Sequence, residues 1–581
     1  MLPLAAMTLL AASELVLRAL GGTGVPGAGP LVQHLTLWLG FLGAAVAARD
    51  QRLLSLATTQ YLPEGALKRG AGLVAGAVGA AVAALLAVAC WQLVEIDREA
   101  GGEIALGIPI WVGQLVMPVA LAAVALRLAW WSDRRWAGRV VAAAALGLGL
   151  LLAWRPEWSE GASPWIGLAA VTIGTLAGGP LFAALGGAAV WLFLADGVPI
   201  AAVPADAYRL AVHPTLPSIP LFTLAGFLLA EGKAALRLLD LFRALVGWLP
   251  GGSAVVAAVL CAFFTTFTGG SGVTILALGA LLLQALSADR YRERFSLGLI
   301  TSSGSLGLMF PPAVPLIFYG IVANVAIPEL FKGGLLPGLL AVAATAAYGV
   351  VEGRRTSARQ AFSLRRLGRA VADAKWELSL PVLVVGLLFS GWATIVEAAA
   401  AAALWAGVVQ MAIHREIPLR RLPAVLLEAT VLIGGVLLIL CAALGLTSWL
   451  VDAQVPLHLL AWARETLSSK WAFLLMLNLL LIAVGCLMDV FSAIAVMVPL
   501  IAPLGLAFGV DPIHLGIIFI ANLELGFLTP PVGVNLFLAS YRFDKPILEV
   551  TRAVLPWLAI RAAIVLLITY VPFLTLALLD R

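Results

Sequence analysis

Four short interruptions inside long apolar runs carry the residue types able to bind ions: Gly269-Gly270-Ser271-Gly272, Pro311-Pro312, Asp489 and Pro530-Pro531. Proline removes a backbone donor and its ring clashes with the preceding helical turn. Glycine lets two backbones approach closely. Within a bilayer no water satisfies the freed N–H and C=O groups, so unwound backbone at that depth must line a polar cavity. The half-helix N-termini then turn positive dipole ends toward an anion, while freed carbonyls can hold a small cation. The interruptions form two matched pairs. FTGGSGVTILALG (267–279) precedes GLMFPPAVPLIFYG (307–320), and CLMDVFSAIAVMVP (486–499) precedes GFLTPPVGVNLFLAS (526–540). Ser271 and Pro311 are 40 residues apart, Asp489 and Pro530 are 41. One such break alone is a harmless kink; two pairs at one spacing describe one or two cation sites beside an anion site.

The elements that must position these residues follow from composition. The chain of 581 residues is 62% hydrophobic and 12% charged, about half the charge of a soluble domain. Its apolar runs approach or exceed the roughly 20 residues that span a bilayer. It begins apolar, without a basic region or a small-residue cleavage site, and 3–20 reads as a retained first span. Net charge is +5, and the uneven placement of Lys and Arg explains it better than nucleic acid does; membrane lipid is the expected surrounding and no nucleic-acid partner is expected.

Cytoplasmic loops collect Lys and Arg. Sorting the loops on that basis places the N-terminus in the cytoplasm and the C-terminus in the periplasm. Spans 3–20, 31–48, 71–95, 108–131 and 139–154 alternate between basic loops (Arg49 to Arg69, Arg134 to Arg139) and acidic or Trp-bearing ones (Glu95 to Glu103, Trp154 to Glu160). A short pair, 164–178 and 180–196, is broken at Gly178-Gly179-Pro180. Segment 216–230 crosses inward, and 233–249 is an amphipathic helix in the inner interface. The run 253–286 enters and leaves on one side, 295–325 crosses around Pro311-Pro312, and 329–351 returns to a loop, 352–377, with seven basic residues. Segment 378–412 must go out and back. Then 423–449 crosses, 452–466 is a second amphipathic piece, 471–508 is a second hairpin broken at Asp489, 513–541 crosses around Pro530-Pro531, and 553–579 exits. The two stretches, about 216–351 and 423–579, face opposite ways and form an inverted repeat, the architecture of many secondary transporters.

Other candidates are weaker. Ionisable and amide groups inside a membrane are functional candidates by default: Glu397 is read as a helix cap or a participant in transport, Glu524 and Asn522 as facing a cavity or packing at a helix end, and Asn535 as lining the cavity. Glu428 and Arg561 are read as snorkelling to an interface. The five histidines form no pair at ligand spacing and suit loop or interface positions. Four single cysteines in apolar runs argue against disulfides and metal ligation. No H-E-x-x-H or comparable catalytic constellation and no nucleotide-binding motif occurs, so the chain is not expected to be an enzyme or to use ATP directly.

At these motifs the sequence resembles the membrane component of the tripartite ATP-independent periplasmic (TRAP) transporters. LTLWLGFLGAAVAARDQRLL (35–54) and LGIPIWVGQLVMPVALAAVALRL (106–128) are similar to the small four-span subunit. PSIPLFTLAGFLLAEG (217–232), LFKGGLLPGLL (330–340), TIVEAAAAAALWA (394–406), RAVLPWL (552–558) and the two Pro-Pro motifs are similar to the large one. The resemblance implies a small-subunit-like domain over 1–135, a joining helix and linker over 136–163, and a large-subunit-like domain over 164–581. It implies Na⁺-driven uptake of an organic acid, such as a dicarboxylate or sialic acid, across the bacterial inner membrane, delivered by a periplasmic substrate-binding protein and moved by an elevator mechanism. The implied Na⁺ sites are Gly270, Ser271 and Gly272 with Pro311 and Pro312, and Asp489 and Ser492 with Thr529, Pro530 and Gly533. Ser271, Thr274, Pro531 and Asn535 are the implied substrate contacts. The first tip departs from the family's Ser-Gly-Ser pattern by reading Gly-Gly-Ser-Gly.

The expected fold class is therefore an all-α polytopic membrane protein: an inverted-repeat transporter with two re-entrant helical hairpins and a four-helix N-terminal domain. The alternatives are a stand-alone ion-coupled anion permease without a binding protein, a gated channel, and an intramembrane enzyme.

Overall fold

Helix accounts for nearly every element in chain order. The computed structural model describes residues 1–22, 24–55, 63, 65–354, 361–467 and 469–579. The first five spans are α1 (Leu2–Ala19), α2 (Ala28–Arg49), α3 (Ala66–Ala100), the pair α4 (Ile110–Gln114) and α5 (Val116–Trp131), and α6 (Trp136–Trp154). A two-stranded hairpin, Glu103–Ala105 with Ile108–Pro109, turns the acidic segment between α3 and α4. Then come α7 (Pro164–Leu176), α8 (Leu181–Ala195) and α9 (Ala202–Ala211). Gly178, at φ +93°, makes the turn between α7 and α8.

The repeats follow element by element. The first is α10 (Ser218–Glu231), α11 (Ala234–Val246), α12 (Gly252–Thr268), α13 (Ser271–Ala288), α14 (Glu293–Ser303), α15 (Val314–Ala323) and α16 (Ile327–Gly353). Two further helices, α17 (Leu364–Phe389) and α18 (Ile395–Val408), separate it from the second: α19 (Leu422–Asp452), α20 (Val455–Thr466), α21 (Lys470–Leu487), α22 (Val490–Ala507), α23 (Pro512–Gly526), α24 (Val534–Phe543) and α25 (Ile547–Tyr570), with a final short α26 (Phe573–Leu576). Among the described residues, 12 helices are long and apolar enough to cross a membrane, or up to 14 when each bent pair counts as one span. The bends are 77° between α10 and α11 and 47° between α14 and α15. The fold class is the expected one.

Two compact units divide the chain. The first holds Met1–Pro220, Leu426–His458 and Ala495–Leu500, and the second holds the rest. In the first, α3 lies against α5, α6, α7, α8 and α9, around a core that includes Phe41, Leu86, Phe182 and Phe193. Lipid tails are as apolar as these side chains, so helix association in a membrane rests on close packing and small residues instead. At one such crossing a Cβ on Gly43 would lie 2.9 Å from Gly434 Cα, so α2 and α19 meet backbone to backbone. In the second unit α21 packs on α23, α14 on α25, α12 on α16 and α13 on α24.

One expectation changes here and another gains detail. The basic segment 352–377 is not all loop. Ser363 caps α17, accepting from the Arg366 N–H at 3.4 Å, and Arg365, Arg366, Arg369 and Lys375 ride on that helix; Arg355 and Arg359 lie outside the described residues. Lengthening α17 in this way lets 378–412 go out and back, with the turn at 390–394. The amphipathic α11 is held by more than its apolar face. Arg237 donates to Glu377 at 2.8 Å and to Glu416 at 2.5 Å. Burial pushes the Glu416 carboxyl up, but the Arg237 hydrogen bond and the Lys233 N–H outweigh it and hold the group below its ordinary range.

Candidate functional site

The first break forms where α12 ends and α13 begins. Gly269 stands at φ +68° and its N–H donates to Thr265 O. A Cβ there would also lie 2.8 Å from Val314 Cβ, so only glycine fits, and the tip sits against the start of α15 just beyond Pro311-Pro312. Gly270 is extended, and a Cβ on it would meet nothing nearer than 3.9 Å. Below the tip the Thr265 hydroxyl is 2.7 Å from Gly304 O and 2.8 Å from Thr274 Oγ1, and Thr266 reaches Gly307 O at 3.2 Å. These contacts tie the hairpin to the end of α14 and to the 3₁₀ turn Leu306–Met309 that follows it. Ser303, the last residue of α14, and Ser305 flank Gly304 there. Both hydroxyls are buried, and among the described residues neither has a hydrogen-bond partner. A buried unpaired hydroxyl is costly, and two of them here are available to a polar group.

The second break has different chemistry. Asp489 caps α22: one carboxylate oxygen accepts from the N–H groups of Phe491 at 2.9 Å and Ser492 at 3.2 Å, and the other accepts from the Ser492 hydroxyl. That cap places negative charge at a helix start, where the helix dipole stabilises it. Across from it, α23 ends at Gly526 and the chain unwinds through Pro530-Pro531 to Gly533, at φ +52°. The Gly533 N–H donates to Cys486 O at 2.9 Å, and a Cβ on Gly533 would lie 2.9 Å from Thr529 O and 3.0 Å from Phe527 O. Two carbonyls therefore converge over this glycine. Helices α21 and α23 meet so closely that a Cβ on Gly526 would lie 2.7 Å from Gly485 Cα. Both Pro-Pro bonds are cis, with Pro311 and Pro312 buried and Pro530 and Pro531 exposed.

Each tip also reaches the other repeat. Ser271 Oγ donates to Asn535 Oδ1 at 2.6 Å, both residues being buried, and the Phe318 and Phe491 rings are 6.3 Å apart. The Ser271–Asn535 contact brings together the starts of α13 and α24, and neither helix has a side-chain cap. Asn535 Nδ2 is buried with no partner among the described residues. The Ser271 hydroxyl proton and the Asn535 backbone N–H are already used, the latter on Phe527 O at 3.2 Å. The donors here are therefore the backbone N–H groups at the start of α13 and the Asn535 side-chain amide, a set suited to an oxyanion at a helix N-terminus.

Not all the expected residues join this centre. Thr274 is one turn into α13, bonded within the threonine cluster. Glu397 completes a capping box with Thr394: its carboxylate accepts from the Thr394 N–H at 2.7 Å and its own N–H donates to the Thr394 hydroxyl at 3.3 Å. Asn522 donates to Asn478 Oδ1 at 2.7 Å, and Thr569 donates to the same oxygen. Glu524 is bonded to Arg561 at 3.1 Å, and Arg561 also donates to Ser302 O at 3.2 Å. Arg561 therefore does not snorkel. Its face of α25 packs inward on α14 and α23, and the pair of opposite charges in two apolar spans was the signal for it. His514 likewise departs from an interface position: it is buried, with its ring nitrogens near Thr575 Oγ1 and Thr569 O. The residues that sequence reasoning missed are Thr265, Thr266, Ser303 and Ser305. The runs TTFT (265–268) and TSSGS (301–305) inside apolar spans were the available signals.

Comparison with known proteins bears on what this centre serves. A family model described as tripartite ATP-independent periplasmic transporter, DctM component, matches residues 166–574, and one for the DctQ component matches residues 7–130. The chain is 34% identical over 395 residues to the C4-dicarboxylate TRAP transporter large permease protein DctM of Pseudomonas aeruginosa, covering 68% of this chain and 92% of that protein. It is 33% identical over 477 residues to the isethionate TRAP transporter permease protein DctMQ of Oleidesulfovibrio alaskensis, covering 81% of this chain and 75% of that one. It is 30% identical over 371 residues to the ectoine TRAP transporter large permease protein TeaC of Halomonas elongata, covering 63% and 86%.

Proposed function

Because the chain belongs to the TRAP transporter family, with DctQ and DctM components in one polypeptide, we propose that it takes up an organic acid anion across the bacterial inner membrane, driven by Na⁺. It is a multi-pass transport permease, not an enzyme. The observation that carries the substrate reading is the Ser271–Asn535 contact, which joins the two repeats at two helix starts that have no side-chain cap. An anion bound there accepts from backbone N–H groups, and the Ser271 and Asn535 side chains orient it; Pro531 borders the same stretch and Thr274 supports the tip from behind. Relatives named for C4-dicarboxylates and for isethionate have substrates with a carboxylate and a sulfonate respectively, and backbone donors suit either oxyanion.

Na⁺ is a co-substrate in this scheme. It prefers hard oxygen ligands, and each break offers them: at the first, carbonyls around Gly270–Gly272 and before Pro311-Pro312 with the Ser303 and Ser305 hydroxyls; at the second, Asp489 and Ser492 with the carbonyls of Phe527 and Thr529 around Gly533. A cation at either break lowers the cost of bringing an anion between them, which couples the two. Substrate arrives on a periplasmic substrate-binding protein, and the tips carry it across by an elevator motion. We place the small-subunit-like domain at 1–135, the joining helix at 136–163 and the large-subunit-like domain at 164–581, with the N-terminus cytoplasmic and the C-terminus periplasmic.

Reconstitution of the full chain into proteoliposomes tests this. Uptake of a radiolabelled dicarboxylate or isethionate is expected only with an inward Na⁺ gradient and the cognate binding protein. Uptake indifferent to Na⁺ overturns the coupling, and uptake without the binding protein favours the stand-alone permease.

A further inference from the structure

At the end of the first unit where α2 stops, α3 begins and α5 stops, a cavity of about 230 Å³ opens between the helices. Ala75, Leu128 and Trp131 give it an apolar side, and Gln51, Ser55 and Ser132 a polar one. Its wall is fixed by backbone: the Leu181 N–H donates to Leu54 O at 2.9 Å, and Ser55 bridges to Pro180. This ties the segment after α2 to the α7–α8 turn.

The cavity lining itself is uncharged, but arginines adjoin it along the chain: Arg52 lies between the lining residues Gln51 and Leu53, Arg127 precedes the lining residue Leu128, and Arg69 is three residues before the lining residue Gly72. Arg49 pairs with Asp50 at 2.7 Å. That hydrogen bond holds the Asp50 carboxyl below its ordinary range, and the charges of Arg52 and Arg127 add to it. One arginine is thus paired with Asp50, and the charges of Arg52 and Arg127 act on the same carboxylate, leaving a positive surplus. Trp130 and Trp131 are half exposed at the same level, and Arg139 lies over the Trp130 ring at 4.2 Å. Aromatic side chains of this kind settle at the headgroup level of a bilayer.

A purely polar pocket suits water and a purely apolar one suits an acyl chain; this cavity combines both beside adjoining arginines. We propose that it seats the headgroup of an anionic phospholipid from the cytoplasmic leaflet, with the phosphate toward Arg52 and Arg127 and the upper acyl chain along Leu128 and Trp131. Basic pockets between membrane helices recognise lipid headgroups by this combination of charge and depth. The bound lipid closes the seam between the α2–α3 segment and the α7–α8 turn.

The test uses the purified, delipidated full chain. Native mass spectrometry measures lipid retention and thermal unfolding measures stabilisation, after addition of phosphatidylglycerol, phosphatidylcholine or inorganic phosphate. Phosphatidylglycerol is expected to be retained and to raise the midpoint; the other two are not. A basic residue near an anionic surface contributes about 1 kcal/mol, or about fivefold, so Arg52→Gln with Arg127→Gln weakens phosphatidylglycerol retention by about 25-fold. Gly72→Leu is the second variant. A Cβ on Gly72, itself a lining residue, meets nothing nearer than Ser132 O at 3.9 Å, so a side chain can be added there without a clash at its first carbon. That variant is expected to fold and to lose the lipid. Equal retention of the two lipids, stabilisation by inorganic phosphate alone, or unchanged retention in Gly72→Leu overturns the proposal.

Discussion

Removing Arg561 should unseat both broken spans of the second unit at once. Its guanidinium donates to Glu524 at 3.1 Å on α23 and to Ser302 O at 3.2 Å on α14. The side chains of Arg561 and Glu524 are only 5% and 2% exposed. Arg561→Met keeps much of the volume but leaves the Glu524 carboxylate buried, with its other oxygen already lacking a partner among the described residues. Breaking a buried pair from one side costs about 3–5 kcal/mol, whereas replacing both partners by apolar residues is often neutral. At about 2–4 °C per kcal/mol for domain-sized units, the single variant should lower the unfolding midpoint by on the order of 10 °C. Arg561→Met with Glu524→Leu should recover most of that loss. Thermal unfolding of the wild type, both single variants and the double variant in detergent measures the coupling directly. If the double variant falls as far as the sum of the two singles, the pair is not energetically coupled and the reasoning fails. Transport by the double variant, assayed alongside, separates stability from function: a stable double variant with impaired uptake would show that the charges also set the geometry of the breaks.

Gly270→Val should leave folding near wild type, because the backbone is extended and the space beside it open, yet abolish Na⁺-driven uptake by crowding the first tip; uptake at wild-type rate removes that tip from the cation site. Gly533→Ala should instead lower stability as well as transport, since φ is +52° and two carbonyls lie about 3 Å from the added carbon, and an unfolding midpoint equal to wild type would contradict this. Asp489→Asn keeps an N-cap acceptor for Phe491 and Ser492 but removes the charge. It should raise the Na⁺ concentration for half-maximal uptake at least tenfold with little loss of stability, and an unchanged Na⁺ dependence would argue against the second site. Thr394→Ala breaks the capping box of α18 and should cost about 1 kcal/mol while leaving Na⁺ dependence unchanged; a shift in that dependence would give Glu397 a part in transport.

What was legible in the sequence has a physical pattern. Gly269-Gly270, Pro311-Pro312, Asp489 and Pro530-Pro531 were readable because backbone breakage by proline and glycine is local and survives any tertiary setting. The amphipathic α11 and α20 were readable for the same reason, as was the fold class. Thr265 and Thr266 were silent, because a threonine in an apolar helix satisfies itself on its own i−4 carbonyl, as both do here with Cys261 and Ala262. Only the fold shows that they also reach Gly304 O and Gly307 O beyond α14. Arg561 was misread because the direction of a long side chain depends on neighbours far away in sequence: Ser302 is 259 positions distant. Basic residues at 365–375 read as loop in the sequence since charge marks the membrane side, not the backbone conformation; a cap at Ser363 decides the latter.

The two breaks are equal in spacing but not in chemistry, and that difference is informative. At the first, the oxygens on offer to a cation are neutral: backbone carbonyls and the hydroxyls of Ser303 and Ser305. At the second, a full carboxylate stands at the tip, already engaged by two N–H groups and a hydroxyl. A cation at the second break is partly balanced before any substrate arrives, whereas a cation at the first leaves a net positive charge beside the uncapped start of α13. The first break is therefore where a cation and an incoming oxyanion should depend on each other most strongly. This predicts that lowering substrate concentration reduces Na⁺ affinity at the first site far more than at the second. Binding measured by calorimetry in Asp489→Asn, where only the first site keeps its ligands, should show Na⁺ binding that rises steeply with substrate. Na⁺ binding to that variant at full strength without substrate would refute the assignment of unequal roles.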